Sequence, residues 1–141
     1  MAPRQLDLFG QPTIGGLVRD LKLSMSQVVK NSGLSRAQVL DLLNDFAQQY
    51  RVKLNGGNAK MLSGDTLEKW LNPGDEARVP SMVAVTVFCV VMRTSEPISV
   101  MARLLGSMVI DGEEIDLLEW AKLQRQMKAT RAKMRKIEAE W

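Results

Sequence analysis

Met25–Phe46 reads MSQVVKNSGLSRAQVLDLLNDF, and this stretch decides the fold class. Up to Val29 the apolar residues follow helical steps. Ile14, Leu17, Val18, Leu21, Met25, Val28 and Val29 recur mostly three and four apart, which places them on one helix face. Asn31-Ser32-Gly33 is a helix stop, with Gly33 suited to the left-handed position past a helix end. Ser35 opens the next helix. Ser35 and Gln38 stand at capping-box spacing, and Leu34 precedes the cap as a hydrophobic staple. Val39, Leu42, Leu43, Phe46 and Tyr50 form the apolar stripe of this second helix, which should end near Tyr50.

The same signals continue outward. Arg51–Leu54 is short and could be extended, and Asn55-Gly56-Gly57-Asn58 is a turn cluster. Ser63 caps a short helix with Leu67, Trp70 and Leu71 inward, ended by Asn72-Pro73-Gly74. A fourth helix is expected from Pro80, in the first turn, through Val83, Val87, Cys89 and Val90 to about Met92. It is apolar nearly all round and should be the central helix. Pro97 opens a fifth helix capped by Ser95, with Ile98, Met101, Leu104 and Leu105 inward, and Gly106 stops it. Asp111-Gly112 reads as a turn before a long helix from Glu113 to Trp141. Residues 1–12 (MAPRQLDLFGQP) read as an extended tail. The expectation is an all-α chain: a tail over 1–12, a compact helical bundle with a helix-turn-helix-like core over 13–107, and a long amphipathic basic helix over 113–141.

Composition narrows the function. In 141 residues there is no histidine and one cysteine, Cys89. The commonest general base is absent, and no ordinary zinc site can be assembled. No phosphate-cradling glycine loop and no paired carboxylates in an apolar setting occur. These absences argue against an enzyme and against a cofactor or metal. Cys89 lies inside an apolar run and reads as packed rather than reactive. A lone cysteine, no basic-then-apolar leader pattern, and a longest apolar run (Met82–Met92) about half of what spans a bilayer point to a cytoplasmic protein with no membrane partner. Net charge is only +3, but the excess is local. Lys122, Arg125, Lys128, Arg131, Lys133, Arg135 and Lys136 follow one another without an intervening acid.

That basic segment also carries a heptad seam. Trp120, Leu123, Met127, Thr130, Met134, Ile137 and Trp141 are spaced 3, 4, 3, 4, 3, 4, interrupted in character only by Thr130. Two readings fit: an amphipathic helix folded on its own domain, or a self-associating coiled coil giving a homodimer. The basic face is a solvated surface or a contact for phosphates.

The helices from Met25 to Phe46 have the layout of a helix-turn-helix. In that register Arg36, Ala37, Gln38 and Asp41 face double-stranded DNA, although Asp41 and Asp45 make the face less basic. A second register takes the helix from Ser35 as support and the Ser63–Leu71 helix as reader. Lys60, Ser63, Asp65, Thr66 and Lys69 then lie outward, with Lys53 in an unusually long connector. Ordinary helical-hairpin packing accounts for the same pattern.

In the tail, Gln5-Leu6-Asp7-Leu8-Phe9 resembles the sliding-clamp-binding motif of bacterial replication and repair proteins. The resemblance implies that Leu8 and Phe9 enter an apolar pocket while Gln5 hydrogen-bonds in an adjoining one. Packing of the tail on its own domain is the competing reading. From Leu34 onward the chain resembles small proteins of Mu-like transposable phages and prophages. Three stretches carry this: Gly33-Leu34-Ser35-Arg36-Ala37-Gln38-Val39; Leu62-Ser63 with Leu67 and Trp70, then Arg78-Val79-Pro80 and the helix holding Cys89 before Thr94; and Asp111-Gly112-Glu113-Glu114 leading into the terminal helix. The middle stretch also resembles phage regulators of the repressor and CII-like type. The resemblance implies a role in phage DNA metabolism or regulation. The family's terminal helix is often acidic or mixed, whereas here it is basic. Two functions follow: a DNA-binding regulatory or accessory protein, or an adaptor that docks on the sliding clamp through its tail.

Overall fold

In the computed structural model, which describes residues 13–57 and 59–141, Ser35 and Gln38 close a reciprocal cap. Ser35 Oγ accepts from the Gln38 N–H (3.1 Å), and Gln38 Oε1 accepts from the Ser35 N–H (2.8 Å). Gly33 lies at φ 74° and terminates the preceding helix. The two signals therefore separate α1 (Leu17–Ser32), entered through a 3-10 turn at Ile14–Gly16, from α2 (Arg36–Tyr50). The remaining helices are α3 (Gly64–Trp70), α4 (Met82–Met92), α5 (Glu96–Leu104) and α6 (Gly112–Ala139). The fold is all-helical, and the described residues contain no strand.

Two compact units divide the chain, one ending at Val109 and the other beginning at Ile110. In the first, α1 packs chiefly on α5, α4 on α2 and α5, and α3 on α2. Met25, Val39, Leu43, Leu67, Leu71 and Phe88 form the driest part of its core. The second unit is α6, 28 residues with no buried side chain.

Several boundaries and facings differ from the sequence reading. Arg51–Leu54 is not extended pairing. Arg51 sits in the left-handed region (φ 54°), and its N–H closes the end of α2 on Ala47 and Gln48 carbonyls. Pro80 lies before α4, because Ser81 takes the cap and its Oγ accepts from the Ala84 N–H. Ser95 occupies the cap position of α5 without a side-chain bond, and Thr94 Oγ1 instead accepts from the Glu96 N–H. Asp111-Gly112 is a helix start, not a turn, since Asp111 Oδ1 accepts from the Glu114 N–H. α6 ends at Ala139, where the last bonds tighten to i→i−3, so Trp141 stands beyond the helix. Leu42, Val83, Val90 and Leu105 are exposed rather than inward. α4 is central on one side only, since Met82, Val83 and Val90 face out while Ala84, Val85, Val87, Phe88 and Cys89 are buried. No described helix is long and apolar enough to cross a membrane.

Candidate nucleic-acid interface

The two helix-turn-helix registers differ in packing. α1 and α2 meet through the shared core but have little direct contact, whereas α2 and α3 pack on each other. The second register is therefore the one with a packed helix pair. Its long connector is held by Asn44, a buried side chain on α2. Asn44 Nδ2 donates to the Leu62 carbonyl (3.0 Å) and Asn44 Oδ1 accepts from the Leu62 N–H (2.8 Å). The amide thus completes both backbone groups of Leu62 as a second strand would, and Leu62 is buried beneath it. Gly64 opens α3 directly over the Leu40 side chain (3.8 Å from the position a Cβ would take).

A buried lysine fastens the other end of α3. Lys22 on α1 is fully buried, and its Nζ donates to the carbonyl of Lys69 (2.8 Å) and to that of Asp75. Carbonyls in the last turn of a helix have no intrahelical donor, and a cation there also opposes the helix dipole. Burial pushes the Lys22 ammonium below its ordinary pKa, against the raising influence of the Asp75 and Glu76 charges. Asp75 is itself held below the ordinary carboxylate range, first by the Arg78 N–H and also by the Ala77 N–H, with Lys22 and Lys69 adding to this against an opposing burial effect.

Most candidate DNA-contact residues have intramolecular work. Arg36 is paired with Glu68 across the α2–α3 seam, both about half exposed. Gln38 completes the cap of α2. Ser63 Oγ accepts from the Thr66 N–H (3.1 Å) and donates to Thr66 Oγ1 (3.0 Å), so both hydroxyls serve the start of α3. Lys69 lies 3.3 Å from Asp65, which also meets Arg78 at 3.8 Å. Lys53 Nζ donates to the Gly57 carbonyl. Lys60 is exposed and has no partner among the described residues. The face of α2 and α3 is therefore close to neutral. Of the candidate cations, Arg36 and Lys69 are opposed by acids and Lys53 is bonded to a carbonyl.

α6 is the contrasting surface. Every residue from Asp111 to Trp141 is exposed, including the seam Trp120, Leu123, Met127, Met134 and Ile137 and all seven bases between Lys122 and Lys136. Gln5, Leu6, Asp7, Leu8 and Phe9 of the clamp-like motif lie outside the described residues.

Sequence patterns missed Lys22 and Asn44. Each is a polar residue inside an otherwise helical segment, and only the partner, 18 to 53 residues away, explains it. Cys89 is buried, and burial pushes its thiol up, against a smaller opposing effect from the Ile98 N–H. Among the described residues no group of three His, Cys, Asp or Glu side chains could hold a metal ion. Comparison with family models, with curated proteins and with solved structures finds no match.

Proposed function

We propose that this chain is a DNA-associated regulatory or accessory protein of the phage type, acting in the cytoplasm. In this reading the α2–α3 unit is presented to duplex DNA and α6 supplies most of the phosphate contacts. The observation that supports it is the charge of α6: seven lysines and arginines, all exposed, with no acid from Ala121 to Ile137. Such a surface attracts a polyanion and gains from release of its condensed counterions. The α2–α3 face, nearly neutral, contributes shape and the single charge of Lys60.

The test is fluorescence anisotropy of a labelled duplex across a salt series with the full chain. Each lost phosphate contact lowers the slope of log affinity against log salt by roughly 0.9. Replacing Lys122, Arg125 and Lys128 together by Ala should lower it by about 2–3. Lys60→Ala should lower it by about 1. Absence of binding, or binding indifferent to salt, sinks the proposal.

A second reading rests on the complete Gln5–Phe9 match: the tail docks on the replication sliding clamp, making the chain an adaptor. The two activities are compatible. Capture of the chain by immobilised clamp should be lost when Leu8 and Phe9 are replaced by Ala. Undiminished capture excludes this use of the tail.

A further inference from the structure

Along α6 the heptad a and d positions are Trp120, Leu123, Met127, Thr130, Met134 and Ile137. Trp120 is 60% exposed, Leu123 58% and Met134 54%. We propose that this seam is covered by a second copy of the same helix, in a parallel, in-register, two-stranded coiled coil over residues 120–139. The pairing stands on α6 alone, and the DNA reading can fail without it.

Charge selects the direction. In a parallel pair each g residue faces the e residue five positions on in the partner. The pairs are Glu119 with Gln124, Gln126 with Arg131, and Lys133 with Glu138. None is repulsive, and the last is an opposite-charge pair made twice by symmetry. In an antiparallel pair that layers Trp120 on Ile137 and Leu123 on Met134, Lys133 faces Gln126 and Arg131 faces Gln124. That arrangement forms no opposite-charge pair, whereas the parallel one forms two.

The polar layer selects the register. In register, Thr130 meets Thr130, and each hydroxyl can still reach a carbonyl of its own preceding turn. A slip of one heptad sets Thr130 against Leu123 or Ile137 and breaks two apolar layers instead of one. The outward b, c and f positions from 121 to 139 hold only alanine, lysine or arginine. They offer no second apolar seam and repel further helices, which limits the assembly to two. Covering the exposed seam in both copies removes roughly 1,000 Å² from water, near the lower bound for a specific interface. The dimer should therefore dissociate on dilution.

Sedimentation equilibrium of the full chain without DNA tests this. The expected result is a reversible monomer–dimer equilibrium. Lys133→Glu should weaken the dimer roughly 5–30-fold, since two attractive pairs become repulsive. The double change Lys133→Glu with Glu138→Lys should restore it. Leu123→Asp should give a monomer whose urea midpoint for the first unit is unchanged, showing that the body remains folded. A monomer at every concentration, a trimer, a dimer indifferent to Lys133→Glu, or one that survives Leu123→Asp overturns the proposal.

Discussion

Lys22 is the residue whose replacement should cost this fold most for its size. Lys22→Met keeps the aliphatic stem and removes only the ammonium. The side chain is 0% exposed, so no water stands by to replace it. Two acceptors are then stranded, the Lys69 carbonyl at the end of α3 and the Asp75 carbonyl beyond it. Each stranded acceptor costs about 1–3 kcal/mol, and relief of the buried charge returns part of that. The expected net loss is about 2–4 kcal/mol, a large share of the 5–15 kcal/mol typical of a domain. For a unit of this size it corresponds to about 10–20 °C in Tm. Urea unfolding followed by tryptophan emission suits the measurement. Trp70 is buried and follows Lys69 directly in α3, whereas Trp120 and Trp141 are already exposed. The sign of the pH dependence is fixed by the direction of the shift. The folded-state pKa lies below the ordinary 10.5, so the unfolded chain binds the proton more tightly. Stability from this group therefore rises as pH climbs from the folded-state pKa toward the unfolded one. Lys22→Met lacks that gain, and its deficit relative to wild type should widen as pH rises toward 10.5. A variant within about 0.5 kcal/mol of wild type, or a deficit that narrows with pH, refutes the assigned role.

Three further outcomes follow from the same structure. Asn44→Ala should destabilise the first unit by about 2–4 kcal/mol, because the N–H and carbonyl of buried Leu62 lose their partners; urea unfolding reads this, and a neutral result removes Asn44 as the clamp. Arg93→Gly should stabilise by about 0.5–1 kcal/mol, since Arg93 holds φ 53° at the end of α4, a conformation glycine adopts without strain. Thermal unfolding measures it, and a fall in Tm counts against strain at that cap. Cys89 should resist a thiol reagent in the native protein and react only at the rate of opening, given its burial and raised pKa. Stoichiometric reaction within mixing time is the contrary result.

How much was legible from residues alone depended on the range of the interaction. The capping box at Ser35 and Gln38, the stop at Gly33 and the cap at Ser63 are contacts across three or four residues, and each formed where the sequence predicts. Asp111-Gly112 reads as a turn in the sequence because an Asp-Gly pair suits both a turn and a helix start. The following acids and the absence of any helix breaker decide for the helix. Leu42 fits a helical stripe by spacing, yet it is exposed, because the stripe that α4 covers is centred on Val39 and Leu43. Periodicity locates an apolar face to within a residue or so, and the neighbouring helix sets its edge.

The first three helices show the same division. Sequence by itself determined that two short helices flank a glycine stop, that a capped third follows a long connector, and that the final helix carries a 3–4 apolar repeat among bases. Hydrogen bonds and side-chain contacts one turn apart are enough for all of that. Tertiary structure alone decided which helices pack, with α2 on α3 rather than on α1. It buried Lys22 and Asn44 as ties between distant segments, and it turned Arg36 toward Glu68. A side chain's nearest partner across 32 residues depends on how whole helices are set against one another, and no local pattern encodes it. For α6, whose contacts within its own unit are all local, the sequence already carries the seam, its charges and their order.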